Sequence, residues 1–207
     1  CLMNIGFVKK YLQENLSFSD EKIDKIRKYI DLLLNFNKKY NLISKSTEKE
    51  VWSRHILDSA QIIKYIDFNK GNILSDFGSG AGLPGVILSI ANTNPNFHVK
   101  LYEKSPVKRA FLSDIQKITK FDIEANVYDY KFIKTDYIVC RAFKKLDLIF
   151  DISREKVKNP HKLIILKGKN ALNDLKKLPK DKNYRYKTVD SITDKDSKII
   201  IATKNGK

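Results

Sequence analysis

The sequence predicts an α/β protein: a parallel sheet with helices on both faces, behind an N-terminal helical stretch over residues 1–70. Three observations carry this expectation. Apolar residues recur at three- and four-residue steps through the first seventy positions. From about Gly71 onward, short apolar runs alternate with helical patterns, as βα units do. A turn with glycines at alternate positions stands at the first strand-to-helix junction.

Ile5, Val8, Leu12 and Leu16 form one stripe and predict an opening amphipathic helix. Ser19 followed by Asp20 and Glu21 starts a second, with acids at the positive end of the helix dipole. Ile23, Ile26, Ile30, Leu33 and Leu34 line its inner face. Thr47 and Glu50 form a Thr-x-x-Glu capping box, which predicts a third helix through Trp52, His55, Ile56, Ser59 and Ile63. Residues 71–207 then read as the sheet domain, opening with a strand at 73–77. Pro84 suits a helix first turn, where its missing N–H costs nothing. A second strand is expected at 98–103, and Pro106 opens a helix carrying Val107, Phe111, Leu112, Ile115 and Ile118. Further strands are expected at 123–127, 137–140, 163–166, 184–189 and 198–202.

Composition narrows the function classes. The 207 residues are 42% hydrophobic, enough for one sizeable core and too apolar for a disordered chain. No apolar run reaches the ~18 residues of a membrane span. Five Pro and eight Gly exclude collagen-like and low-complexity classes. Two cysteines, Cys1 and Cys140, are too few for a disulfide framework and suit a reducing compartment. Met3 is the expected natural start, with Cys1 and Leu2 a remnant ahead of it. No secretion signal is visible, so the cytoplasm is the expected location. The net charge of +16 points to a polyanionic partner, although a lysine-favouring genome would also raise it. Its distribution is uneven: +4 over residues 1–70, +1 over 71–140 and +11 over 141–207.

The informative segment runs from Asp76 to Gly85. Gly78, Gly80 and Gly82 permit positive φ and close backbone approach to a ligand. Gly80, Gly82 and Gly85 also satisfy the dinucleotide pattern G-x-G-x-x-G, so NAD and FAD are open alternatives. A carboxylate at Asp76 is poorly placed for a pyrophosphate and suits a cationic ligand such as S-adenosylmethionine. Glu103, ending the second strand, can accept both ribose hydroxyls of either cofactor. A tight turn with no ligand is the plain alternative, and an acid at each side of the glycines argues against it.

The fourth strand ends Cys140-Arg141-Ala142-Phe143. An Asn/Asp-Pro-Pro-aromatic motif and a Pro-Cys pair are both absent, which leaves Cys140 as a small buried residue rather than a nucleophile. Arg141 can bind a carboxylate, a phosphate or a base edge bidentately, or pair with a nearby acid. A ring nitrogen such as guanine N7 has a free lone pair and needs no base, so catalysis would consist of placement.

Four segments, in order, carry a family resemblance: Asn41-Leu42 with Arg54-His55-Ile56-Leu57-Asp58-Ser59; Asp76 through Gly85 with its Gly-Leu-Pro-Gly ending; Arg141-Ala142-Phe143; and Leu166-Lys167-Gly168. Lys108-Arg109-x-Phe111-Leu112 adds to them. The chain resembles the bacterial 16S ribosomal RNA guanine-N7 methyltransferases, also called glucose-inhibited division protein B. The resemblance implies a class I S-adenosylmethionine-dependent methyltransferase fold, Rossmann-like, with a mostly parallel seven-stranded sheet and an N-terminal helical extension. It implies S-adenosylmethionine as methyl donor and a guanine N7 of 16S rRNA as acceptor.

By position, Gly78, Leu83, Val127, Tyr128 and Arg141 look like the family's cofactor contacts, beside Asp76, Gly80, Gly82 and Glu103 of the turn. The family's Glu-Glu pair near the third strand's end is replaced here by Tyr128-Asp129, so an adenine contact would have to come from backbone N–H. Arg54, His55 and Asp58 share one helical face, and Arg54, His55 and Arg141 are expected to position the substrate. Lys144, Lys145, Lys167 and Lys169 are the expected RNA contacts. The scattered histidines His55, His98 and His161 predict no metal site. A monomer without membrane contact is expected. A nicotinamide-dependent oxidoreductase and a non-enzymatic RNA-binding module are the competing functions.

Overall fold

The computed structural model describes residues 4–178 and 181–205; Cys1 and the expected start at Met3 lie outside the described residues. Helix α1 (Ile5–Leu16) is capped by the Asn4 side chain and ends at left-handed Ser17. It buries Val8 and Leu12, while Ile5 stands half exposed, so the apolar stripe is narrower than the periodicity implies. Helix α2 (Asp20–Tyr40) starts at Ser19 and buries Ile23, Ile26, Tyr29, Ile30 and Leu33.

The third predicted helix is broken into turns of different pitch. A 3-10 turn (Lys45–Glu50) leads into a π turn (Trp52–Leu57), a short α3 (Asp58–Ala60) and a second 3-10 turn (Gln61–Tyr65). The capping box does not form. Thr47 Oγ1 donates to the Ser44 carbonyl and meets His55 Nε2, both at 2.8 Å, and Glu50 Oε2 accepts from Arg54 Nε at 3.0 Å. Hydroxyl and carboxylate are drawn off by partners other than the backbone amides a cap would satisfy.

The sheet contains β1 (Ile73–Phe77), β2 (His98–Tyr102), β3 (Asp122–Glu124), β4 (Tyr137–Arg141), β5 (His161–Lys167), β6 (Tyr184–Asp190) and β7 (Lys198–Lys204). Their order is β3-β2-β1-β4-β5-β7-β6, with β7 antiparallel to both neighbours and the other pairs parallel. This is the seven-stranded, mostly parallel layout the resemblance implies. β3 is shorter than expected, because Val127 begins a 3-10 turn (Val127–Asp129) instead of extending the strand.

Strand residues alternate between two apolar layers. Val139, Ile164 and Ile199 face a layer with α1, α2, α4 (Gly85–Ala91) and α5 (Pro106–Ile115). Ile138, Cys140, Leu163 and Ile165 face α6 (Leu146–Lys156) and α7 (Ala171–Lys176). Strand order reverses between β1 and β4, so a cleft opens beyond their carboxyl ends. The Tyr29 hydroxyl of α2 donates to the Ala81 carbonyl at 2.8 Å and ties the helical layer to the glycine turn.

Asp76 lies wholly beneath that turn. Its Oδ2 accepts from the Gly85 amide at 2.8 Å, and its buried Oδ1 has no hydrogen-bond partner among the described residues. Burial pushes its carboxyl up to about 7, against the opposing pull of the Gly85 N–H and Arg141. The folded chain therefore holds a proton there that the unfolded chain releases. Asp76 contributes stability that is full below pH 3.8 and is lost as pH rises through about 7. Urea unfolding should show the native chain losing stability over this window relative to Asp76→Asn, and parallel pH profiles would contradict the assignment.

Candidate active site

The cleft encloses about 910 Å³, ample for a nucleoside cofactor and an incoming base. One wall is the glycine turn, where φ is +70° at Gly78, +58° at Gly80 and +89° at Gly82. Gly78 and Ser79 both donate to the Tyr102 carbonyl, at 2.9 and 3.1 Å, which welds the turn to β2. A side chain at Gly78 would run into the Phe143 ring, whereas one at Gly82 would meet Val86 and Leu112 in the interior. Gly78, Gly80 and Leu83 line the cleft; Gly82 and Asp76 do not and act from beneath it.

Glu103 follows β2 and is almost fully buried at the cleft wall. Oε2 accepts from Gly80 N and Oε1 from Ser105 N, both at 2.8 Å, so backbone donors fix the carboxylate plane. Each oxygen keeps a further lone pair for a vicinal diol. Arg109 locks the following turn by donating to the carbonyls of Glu103 and Lys104. The dinucleotide alternative fares poorly here, because the Gly85 amide that heads α4 is already taken by a carboxylate.

Arg141 ends β4 and also lines the cleft. Its NH1 donates to the Arg54 carbonyl at 3.2 Å and to His55 Nδ1 at 3.0 Å, and lies 3.5 Å from Asp58 Oδ2. Nε and NH2 have no protein partner among the described residues, leaving an open fork. Since Nδ1 of His55 accepts, its proton sits on Nε2 and points to Thr47 Oγ1. Burial first, then Arg141 and Arg54, lowers the His55 pKa to about 3, so the ring stays neutral. Ala142, the next residue, sits at φ +49° and turns Phe143 onto Gly78.

The expected shared face of Arg54, His55 and Asp58 is only partly realised. His55 and Asp58 line the cleft, while the Arg54 side chain pairs outward with Glu50 and contributes its carbonyl alone. The π turn is the reason, since its wider winding separates residues that an α-helix would stack. Asp58 is held by Gln61 Nε2 at 2.9 Å and Thr193 Oγ1 at 2.8 Å, and Gln61 also receives the Ile192 amide. No local pattern announces Gln61 or Thr193, which meet across more than a hundred residues.

Val127 lines the cleft and is buried, whereas Tyr128 is 48% exposed, with the Lys144 and Lys156 ammonium groups 5.9 and 5.8 Å from its ring. Lys144, Lys167 and Lys169 reach the cleft; Lys145, at the start of α6, does not. Lys104, Lys108 and Asp174 also line it, beyond the site residues the sequence predicts. Lys108 lies within a segment that carried the resemblance, and Asp174 had no signal. Burial keeps the Cys140 thiol protonated. Among the described residues, no group of His, Cys, Asp or Glu could hold a metal ion, and no helix is long and apolar enough to cross a membrane.

Residues 22–200 match the family described as rRNA small subunit methyltransferase G. The ribosomal RNA small subunit methyltransferase G of Pelagibacter ubique is 35% identical over 196 residues, covering 91% of this chain and 92% of the relative. That of Rickettsia bellii is 38% identical over 184 residues, covering 87% and 92%. Among solved structures, Aeropyrum pernix fibrillarin with natively bound S-adenosyl-L-methionine aligns at TM-score 0.57 and 15% identity, over 72% of this chain and 75% of that one. A mutant of MtNAS in complex with S-adenosylmethionine aligns at TM-score 0.56 and 14% identity, over 98% and 84%. These distant likenesses concern the fold. The sequence relatives span the chain almost end to end, and the protein belongs to the ribosomal RNA small subunit methyltransferase G family, as an rRNA methyltransferase.

Proposed function

We propose that the protein transfers a methyl group from S-adenosylmethionine to N7 of one guanine in 16S rRNA, acting as a cytoplasmic monomer on the small ribosomal subunit. The observation that carries this reading is that His55, Asp58, Glu103 and Cys140, which could each take a proton at the cleft, are already committed, while the remaining carboxylate, Asp174, is ion-paired with Lys167. His55 Nδ1 accepts from Arg141, Asp58 is held by three side chains, Glu103 is held by two amides, and Cys140 is kept protonated. Guanine N7 carries a free lone pair and loses no proton on methylation, so it needs placement rather than a base.

The cofactor supplies an electrophilic methyl group on a sulfonium. Glu103 accepts from the ribose hydroxyls, and Val127 and Tyr128 border the adenine. Gly78, Gly80 and Leu83 let the turn close on the ligand, while Asp76 and Gly82 keep the turn in shape from below. The free fork of Arg141 meets the amino-acid carboxylate, bidentately. Arg54 and His55 act through Arg141 by fixing its NH1. Lys144, Lys145, Lys167 and Lys169 face the RNA, and Lys144, Lys145 and Lys169 contribute sequence-independent attraction to phosphates. Residues 1–70 serve as a helical subdomain that supports this arrangement.

Two outcomes are expected. Unmethylated 30S subunits incubated with the protein and S-adenosylmethionine should yield 7-methylguanosine on nucleoside analysis; its absence overturns the reading. Glu103→Gln should weaken S-adenosylhomocysteine binding about tenfold or more in calorimetry, as loss of a charged hydrogen-bond acceptor does, and leave RNA affinity unchanged. A variant that keeps full cofactor affinity would remove Glu103 from the site.

A further inference from the structure

Lys167 at the end of β5 and Asp174 in α7 both line the cleft, with Nζ 3.1 Å from Oδ2. Among the described residues three carboxylates besides backbone groups border the cleft: Asp58, Glu103 and Asp174. The first two are committed to Arg141, Gln61, Thr193 and the amides of Gly80 and Ser105. Asp174 keeps Oδ1 without a partner among the described residues. A partly exposed ion pair adds little to stability. Its unpartnered Oδ1 also repels phosphate, so beside Lys144 and Lys169 it suits a ligand that donates.

We propose that Asp174 and Lys167 form the subsite that reads the target guanine, the carboxylate accepting from N1–H and the N2 amine and the ammonium donating to O6. The inference rests on the N7 reading above and names the base subsite of that same cleft. An ionised carboxylate only accepts, so it matches the two adjacent donors of guanine. It opposes adenine, whose ring nitrogen at the same position is an acceptor. Held through N1, N2 and O6, guanine keeps the N7 lone pair, next to O6 on its Hoogsteen edge, uncovered for the methyl group. Methylation places positive charge on the base, and a carboxylate at N1 stabilises that charge as it develops.

Substrate subunits reconstituted with inosine at the methylated position lack the N2 amine alone and test the contact. Inosine should lower kcat/KM of the native chain by about tenfold, the discrimination of one lost base contact. In Asp174→Asn and Asp174→Ala the guanosine-to-inosine ratio should fall close to one, with S-adenosylhomocysteine affinity retained. The ratio is taken within each protein, so a general loss of activity cancels. An equal inosine penalty in native chain and variants, or no penalty in the native chain, overturns the subsite. Failure of the native chain to make 7-methylguanosine on unaltered subunits removes the N7 reading, and the subsite with it.

Discussion

Arg141 NH1 donates to the Arg54 carbonyl and His55 Nδ1 while lying beside Asp58, and three parts of the chain are fixed about that one nitrogen. Arg141 belongs to the sheet, and His55 and Asp58 belong to the helical turns before it. Asp58 also accepts from Thr193, in the connection between β6 and β7. A partly buried charge pair costs desolvation, and removing one partner from such a pair typically costs about 3–5 kcal/mol because the other is stranded. The same contacts leave only Nε and NH2 of the guanidinium free, which turns a flexible side chain into a fork of fixed direction. His55 Nδ1 is spent in holding that fork, and Nε2 meets Thr47 Oγ1, so neither ring nitrogen is without a partner.

The two acids flanking the glycines divide their work by depth. Glu103 reaches the cleft and is oriented by two amides, whereas Asp76 is wholly buried and holds the Gly85 amide from below. Positive φ at Gly78, Gly80 and Gly82 lets the chain cross between them. The turn is thus rigid before any ligand arrives, and preorganisation of this kind lowers the entropic cost of binding.

Much of this was legible in the sequence. Alternating apolar runs marked every strand, and the acid–glycine–acid spacing marked one wall of the cleft, because both depend on neighbours in the chain. What could not be read depends on distant partners. Thr47 and Glu50 spelled a capping box, yet His55 and Arg54 took their side chains. Val127 looked like strand but bends into the cleft wall. Asp76 was expected to face a cation and instead supports backbone. The basic last third is not all open charge: Lys144, Lys167, Lys169 and Lys198 line the cleft, yet Lys167 pairs with Asp174, Lys198 pairs with Asp190, and Lys204 donates to the Val157 carbonyl. Composition placed the excess charge in the last third without saying which lysines line the cleft.

On the proposed reading, methyl transfer proceeds by placement, with no proton in flight. Single-turnover methyl transfer to 30S subunits in light and heavy water, at saturating cofactor, tests it most directly. Equal rates are expected, because His55 Nδ1 is taken by Arg141, its Nε2 meets Thr47 Oγ1, and N7 surrenders no proton. A clearly slower rate in heavy water that disappears in His55→Ala would contradict it.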